Sequence, residues 1–363
     1  MTVQDEIIDA RSRDAAYMIQ FGNKYVSQHQ SLIQDMIDDL IIQLNIRTPE
    51  DQSLTAKRLR AMLKQLEELN RDLYQGLYQQ ALEFTKEASE FESQATYAAV
   101  QNSYPIDLKL DRISPSKIHS AVRARPFQGK LLKDWYSEQS VSSKRKYRQA
   151  VKLGYTNGET ITQIARRIKD VADIEKRQAE ALTRTALNHT SNVAMQDFTQ
   201  ANKAVISKEM MVATLDGRTS PICRGIDGKE FEIGKGPYPP LHINCRTIRV
   251  PKTKTWKELG FDNMKESEAL SNRPFVADKR KVKDIPIDDR QSIIGNTSDL
   301  SYNDWLRKQP KSFVADVLGK SKAELYLKGG LTLDKFVNRQ GVYLTLPELM
   351  GKYKSSFEKA GLI

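Results

Sequence analysis

Cysteine is scarce in this chain: only Cys223 and Cys245 occur among its 363 residues. Two cysteines cannot form the several disulfides that hold a small secreted scaffold together, so the fold must depend on a hydrophobic core. The chain also lacks a P-loop, a Rossmann glycine pattern, a GxSxG turn and a Ser/His/Asp set. These common enzyme classes therefore have no support, and we expect a protein that is not an enzyme.

Long hydrophobic runs are missing as well. No segment of the sequence approaches the roughly 20 consecutive apolar residues that a membrane-spanning helix needs. The first residues, MTVQDEIIDARSRD, do not combine the basic start and apolar run of a secretory signal. We therefore expect synthesis in the cytoplasm and no membrane partner.

Basic residues exceed acidic ones: 57 Lys and Arg stand against 46 Asp and Glu, a net charge of +11. Such an excess favours a polyanionic partner such as DNA, although an acidic protein surface would serve equally. Charged runs are most often solvated faces, but two basic segments are candidates for nucleic-acid contact. They comprise Lys144, Arg145, Lys146 and Arg148 and, further along the chain, Lys279, Arg280, Lys281 and Lys283.

Apolar residues recur at helical spacing through much of the chain. The clearest stripe steps by three or four residues through Leu59, Met62, Leu66, Leu69, Leu73 and Leu77, which is typical of a packed helix seam. Thr48 followed by Pro49 predicts the start of this helix. The sequence predicts a mainly α fold: an elongated helical bundle with a small β-hairpin and loop cap at about residues 211–251, and a C-terminal module of short helices.

Changes in composition divide the chain into four consecutive predicted domains. Residues 1–110 form long N-terminal helices that dock onto partners, and residues 111–262 form a helical bundle that carries the cap. Residues 263–299 are polar and basic, which predicts an extended arm or linker. Residues 300–363 form the small helical module.

The cap region, residues 211–251, holds both cysteines and the densest run of Gly and Pro. Residues 212–215 and 229–233 have strand character and are each preceded or followed by an Asp-Gly turn signal, which predicts a hairpin. The Gly- and Pro-rich loop at 234–240 cannot be helical, and it delivers His242-x-x-Cys245 to a fixed place.

Cys223, His242 and Cys245 can therefore converge on one point. Three alternatives stay open for them: a structural zinc site with a borrowed fourth ligand, such as Asp216 or a water; a Cys223–Cys245 disulfide; or two thiols packed without metal. Zinc is the one cofactor that the sequence suggests, and otherwise none is expected.

The same region resembles a known family. It reads Thr214-Leu-Asp216-Gly-Arg218-Thr219-Ser220-Pro-Ile-Cys223, then Asp227-Gly-Lys-Glu-Phe231, then Pro239-Pro240-Leu-His242-Ile-Asn-Cys245-Arg246. This order resembles the minor head proteins of tailed phages named after protein F of phage Mu. The resemblance marks Asp216, Arg218, Thr219, Pro240 and Arg246 as structural motif residues. Two cysteines of the family pattern are Ser220 and Thr247 here, so a four-ligand zinc site is incomplete.

The resemblance implies a minor capsid protein that acts in head morphogenesis. Such a protein is incorporated into the procapsid near the portal, remains inside the head of the virion, and takes part in DNA packaging or ejection. The implied partners are the portal protein, other head proteins and packaged double-stranded DNA bound without sequence preference, with several copies in each head.

Two functions other than that of a minor capsid protein are compatible with parts of the sequence. Asp216, His242 and Asn244 in a small β setting can be read as an HNH-like, metal-dependent nuclease site, although no second histidine follows. The long helices and basic segments also fit a helical DNA-binding or scaffolding protein unrelated to heads.

Overall fold

The computed structural model describes residues 2–47, 53–263, 273–298, 301–338 and 341–363. Most of these residues are helical, which confirms the predicted mainly α fold. Five helices come first: α1 (Val3–Arg47), α2 (Ala56–Gln101), α3 (Pro115–Ala124), α4 (Leu132–Thr156) and α5 (Ile161–Ala201). The predicted helix start at Thr48 and Pro49 lies outside the described residues. No helix in the described ranges has the length and apolar character to cross a membrane.

The elements that follow α5 mix short strands with short helices. In chain order they are β1 (Ile206–Val212), β2 (Leu215–Asp216), α6 (Pro221–Ile226), β3 (Glu230–Glu232), β4 (Ile248–Thr253), β5 (Arg273–Val276), α7 (Ile287–Ile293) and β6 (Ile294–Thr297). The last part of the chain contains α8 (Tyr302–Arg307), α9 (Lys311–Leu318), α10 (Lys320–Leu327), α11 (Leu346–Lys352) and α12 (Lys354–Ala360). These five helices are the predicted C-terminal module of short helices.

The chain divides into two compact units, each built from separated segments. The helical unit contains residues 17–91 and 114–190, and the mixed unit contains residues 1–16, 92–113 and 191–363. These interleaved units differ from the four consecutive domains predicted from composition. The predicted boundaries of functional domains stay predictions.

The helical unit has a continuous apolar core. The seam predicted on α2 is part of it, with Leu66 and Leu77 each 1% exposed. Gly22 does not break α1, because a Cβ at this position would come within 2.7 Å of Leu187 in α5. The glycine therefore allows close packing of the two helices. A capping box holds the start of α5, where the Thr160 backbone nitrogen donates to the Gln163 side chain at 2.9 Å.

The mixed unit contains two three-stranded sheets with the strand orders β3-β1-β4 and β2-β5-β6. In the first sheet β1 pairs antiparallel with both neighbours. The predicted hairpin is therefore present in part: β1 pairs with β3, but it begins at Ile206 rather than at residue 212. Residues 215–216 belong to the second sheet, and α6 lies between the two hairpin strands.

The arm predicted over residues 263–299 is wrong for residues 273–298. β5 pairs parallel with β2 and antiparallel with β6, and α7 precedes β6. The ring of Phe275 lies 5.8 Å from that of Trp305 and packs against the core of the C-terminal helices. Backbone pairing and a few apolar contacts therefore order a segment whose composition is mostly polar.

Candidate functional site

The candidate site lies in the mixed unit, where α6 and the loop before β4 meet. Ser220 is the N-cap of α6 and accepts a hydrogen bond from the Cys223 backbone nitrogen at 3.4 Å, which places Cys223 in the first turn. In the loop, the Cys245 backbone nitrogen donates to the His242 carbonyl at 3.1 Å, and Asn244 has a φ of 61°. These two local structures present the three predicted ligands to one point.

The three side chains lie within ligand distance of a common centre. The two sulfurs are 3.8 Å apart, and the Cys223 sulfur lies 3.3 Å from Nε2 of His242. Their ligand atoms all lie within 4.8 Å of one another. Both cysteines are only 2% exposed. The sequence-based convergence of Cys223, His242 and Cys245 is thus present in the structure.

The orientation of the His242 ring is set by its neighbours. Nδ1 lies 2.7 Å from the Ile243 carbonyl oxygen, which can only accept, so Nδ1 carries the proton. Nε2 lies 2.7 Å from the Ser220 hydroxyl and 3.3 Å from the Cys223 sulfur. With Nδ1 bound to a carbonyl, Nε2 is the nitrogen that faces the sulfur cluster, as in a metal-binding histidine.

The cysteines are free thiols in this structure rather than a disulfide. Hydrogen bonding from Cys223, with a further contribution from His242, holds the pKa of the Cys245 thiol well below its ordinary value against the opposing effect of burial. The pKa of Cys223 is raised, first because it donates to Cys245 and second because it is buried. One thiolate is thus favoured next to one thiol.

A second cluster is centred on Asp216, which is 2% exposed. Arg246 donates to both carboxylate oxygens at 2.6 and 2.8 Å, and Arg218 donates at 3.1 Å. The Thr219 hydroxyl lies 3.1 Å from the same carboxylate. Burial acts to raise the pKa of Asp216, but the contacts to Arg246 and Arg218 outweigh it, so this pKa lies below its ordinary value. The structural motif predicted from the resemblance is therefore an ion-pair network.

Asp216 does not join the sulfur cluster. Its two oxygens are occupied by guanidinium groups and by Thr219, and the metal-ligand cluster found in the described part of the chain contains only Cys223, His242 and Cys245. Asp216 is thus not placed to be the fourth zinc ligand or to hold the metal of a nuclease. Pro240, the remaining motif residue, is buried in the loop that leads to His242.

Sequence reasoning missed a buried ion pair between Glu209 of β1 and Arg249 of β4. Both side chains are 0% exposed, and they are 2.8 Å apart. The Arg249 guanidinium also lies 4.0 Å from the ring centre of Tyr238 and donates to the Pro237 carbonyl at 2.8 Å. The sequence signal was weak, because other polar residues, such as Lys208 in β1 and Lys252 in β4, lie in the same strands. This pair holds the Gly- and Pro-rich loop against the sheet.

The two basic segments belong to different compact units. In the helical unit, Lys146 pairs with Glu175 at 2.7 Å and Arg148 pairs with Glu67. In the mixed unit, Arg280 pairs with Asp278 at 2.7 Å. These three basic residues are thus partly engaged within the protein. The structure does not test the nucleic-acid contact predicted for the remaining members, which are Lys144, Arg145, Lys279, Lys281 and Lys283.

The fold and the site define a mainly helical protein with a small β cap stabilised by buried arginines and a Cys/His cluster. Residues 145–250 match the family model described as Phage Mu protein F like protein. The resemblance inferred from the sequence is thereby confirmed for these residues, which are similar to the Phage Mu F-like family of phage head morphogenesis proteins. The cluster, the Asp216 network and Arg249 all lie within the matched residues. Comparisons with curated proteins and with solved structures found no match.

Proposed function

We propose that this protein is a minor capsid protein that is built into the procapsid near the portal and remains in the virion. The observation that carries the proposal is the family match over residues 145–250, which covers the C-terminal part of α4, all of α5 and the whole site. We further propose that it contacts the portal protein and other head proteins in several copies per head, and that it assists DNA packaging or ejection.

Buried charges favour one rigid arrangement of the cap. Arg224 of α6 donates to the Gly217 and Val317 carbonyls, each at 3.1 Å. Arg273 donates to both carboxylate oxygens of Asp227 at 3.0 Å. A buried charge that loses its partner is strongly destabilising, so alternative arrangements of these elements are disfavoured. A rigid surface of this kind suits a part that is assembled into a larger structure.

The site chemistry argues against the HNH-like nuclease. Mg²⁺ binds oxygen ligands, whereas the cluster in the described residues offers two sulfurs and one imidazole nitrogen. The carboxylate of the predicted nuclease site, Asp216, is paired with Arg246 and Arg218. His242 is held by the Ile243 carbonyl and Ser220 rather than being paired with a carboxylate as a general base would be. We therefore propose a structural role and no enzymatic one.

Packaged DNA is the proposed polyanionic partner. Arg145 is exposed on α4 and Lys144 lies beside it, half-buried. The net charge of +11 favours non-specific attraction to phosphate groups. A protein enclosed with the genome would meet DNA at high concentration, so weak contacts of this kind suffice.

Procapsid assembly from a known set of proteins tests whether the chain is a capsid component (its head role). The chain is co-produced with the major capsid, scaffolding and portal proteins of a phage that encodes it, and procapsids are isolated by sedimentation. We expect the chain to sediment with procapsids that contain the portal protein. Procapsids assembled without the portal protein should contain less of the chain. A chain that stays at the top of the gradient in both cases contradicts the head role, and equal incorporation without portal contradicts the placement near the portal.

The same preparation separates the structural role from the nuclease. Linear double-stranded DNA is incubated with the purified chain and either Mg²⁺ or Mn²⁺, and we expect it to remain intact. Cleavage that is lost in a His242→Gln variant but kept in a His119→Gln variant would establish the nuclease instead.

A further inference from the structure

We propose that Cys223, His242 and Cys245 bind one Zn²⁺ whose fourth ligand is a water held beside Ser220. The proposal does not depend on the head role. It rests on the distances among the donor atoms, on the fixed orientation of the histidine ring and on a small polar cavity next to the cluster.

The donor spacing fits a tetrahedral metal. Two thiolates bound to one tetrahedral Zn²⁺ at about 2.3 Å lie about 3.8 Å from each other, and the sulfurs of Cys223 and Cys245 are 3.8 Å apart. An imidazole nitrogen and a thiolate on the same ion lie about 3.5 Å apart, and the distance from Nε2 of His242 to the Cys223 sulfur is 3.3 Å. These two of the three donor pairs are therefore already within a few tenths of an ångström of the spacing that the ion requires.

The second sphere of contacts already suits a bound metal. Nδ1 of His242 donates to the Ile243 carbonyl, so Nε2 can bind as a neutral ligand once the Ser220 hydroxyl, 2.7 Å away, turns from it toward the bound water. Two thiolates neutralise the charge of Zn²⁺, so the buried centre carries no net charge and needs no further counter-ion. Soft sulfur donors together with imidazole select zinc over Mg²⁺ and Ca²⁺.

The fourth position faces a cavity of about 20 Å³, whose lining includes Ser220, His242, Asn244 and Thr247. This volume is close to what one water requires. The Ser220 hydroxyl lies 2.7 Å from Nε2 of His242, at the edge of the donor set, where it can hydrogen-bond to such a water. The site is thus an open three-ligand centre, whereas the family pattern places a cysteine at Ser220.

Metal uptake by the full chain tests the proposal. The reduced protein is stripped with a chelator and titrated with Co²⁺ and with Zn²⁺ in the absence of oxygen. We expect one ion per chain, the visible absorption of four-coordinate cobalt, thiolate-to-cobalt charge transfer in the near ultraviolet, and displacement of Co²⁺ by Zn²⁺. Reduced, folded protein that takes up neither metal at one equivalent would overturn the proposal.

Variants assign the ligands. Cys223→Ser, Cys245→Ser and His242→Gln should each abolish stoichiometric binding, and His119→Gln, in the half-buried histidine of α3, is the matched control that should leave it unchanged. If His119→Gln and His242→Gln lost metal binding to the same extent, the assignment of His242 as a ligand would be overturned.

A variant that should bind metal more tightly tests the proposal even if the variants that remove a ligand fail to fold. Ser220→Cys introduces a third sulfur at the proposed water position, so it should bind both metals more tightly and intensify the charge-transfer band. A cobalt spectrum and affinity unchanged from the wild type would overturn the placement of the fourth position beside Ser220.

Discussion

Asp216 and Arg246 form a two-pronged ion pair across 30 residues of sequence, with oxygen to nitrogen distances of 2.6 and 2.8 Å. The Asp216 side chain is 2% exposed and that of Arg246 is 25% exposed. Arg246 directly follows Cys245, so the pair ties the end of the Cys/His loop to β2. The second sheet thereby supports the position of the sulfur cluster.

Removal of the Asp216 charge should destabilise the mixed unit. Asp216→Asn keeps the side-chain size but leaves Arg246 without its counter-ion. We expect a loss of about 2–4 kcal/mol in the free energy of unfolding, somewhat less than for a fully buried pair because Arg246 is partly hydrated. Denaturant unfolding followed by circular dichroism measures the loss.

The matched control for this variant is Asp278→Asn. Asp278 pairs with Arg280 at 2.7 Å, but the Arg280 side chain is 47% exposed. We expect this substitution to lower the free energy of unfolding by less than about 1 kcal/mol. Equal losses for the two variants would contradict a special role for the Asp216 network.

The buried pair of Glu209 and Arg249 leads to a second prediction. Arg249→Met removes the positive charge next to the rings of Phe231 and Tyr238 and leaves the buried carboxylate of Glu209 without a cationic partner. We expect the free energy of unfolding to fall by about 3–5 kcal/mol. Adding Glu209→Gln to this variant should recover part of the loss, because the orphaned charge is then removed.

Arg13→Met serves as the control, since the Arg13 side chain is 71% exposed in its pair with Asp9. We expect its effect to stay within about 1 kcal/mol. A loss of this small size in Arg249→Met would show that the buried pair contributes little to the stability of the cap.

The sequence predicted most of the site because the relevant signals are local. Glycine, proline and the spacing of His242 and Cys245 describe one loop, and the ordered motif marks Asp216 and Arg246. It did not predict the pairing of β2 with β5, because a two-residue strand has no periodicity and its partner lies more than 50 residues away. The helix α6 was missed although Ser220-Pro221 is the same Ser-Pro start signal that Ser114-Pro115 provides at the start of α3.

A third prediction concerns acid stability of the helical unit. His29 is 0% exposed, its Nδ1 lies 3.0 Å from the Thr183 hydroxyl, and it packs near Phe84 and Tyr136. Burial lowers the pKa of His29 to about 4. The unfolded chain therefore takes up this proton near pH 6.5 while the folded chain resists it, so stability is present above about pH 6.5 and falls as the pH drops toward 4.

His29→Gln should flatten this pH dependence. We expect the wild type to lose on the order of 2–3 kcal/mol more than the variant between about pH 7 and pH 4. Urea unfolding of both proteins across this range measures the difference. Parallel pH profiles for the two proteins would contradict the neutral, buried state of His29.

The last prediction tests DNA contact by the basic segment on α4. Lys144→Ala combined with Arg145→Ala leaves the internal pairs of Lys146 and Arg148 in place. If both residues contact phosphates, binding to double-stranded DNA should weaken equally for all sequences. The slope of log affinity against log salt should decrease by about 2, because each lost phosphate contact removes roughly 0.9. Lys86→Ala, an exposed lysine on α2, is the control and should leave both quantities unchanged. An unaltered salt slope in the double variant would place the DNA contact elsewhere, with Lys279, Lys281 and Lys283 as the next residues to substitute.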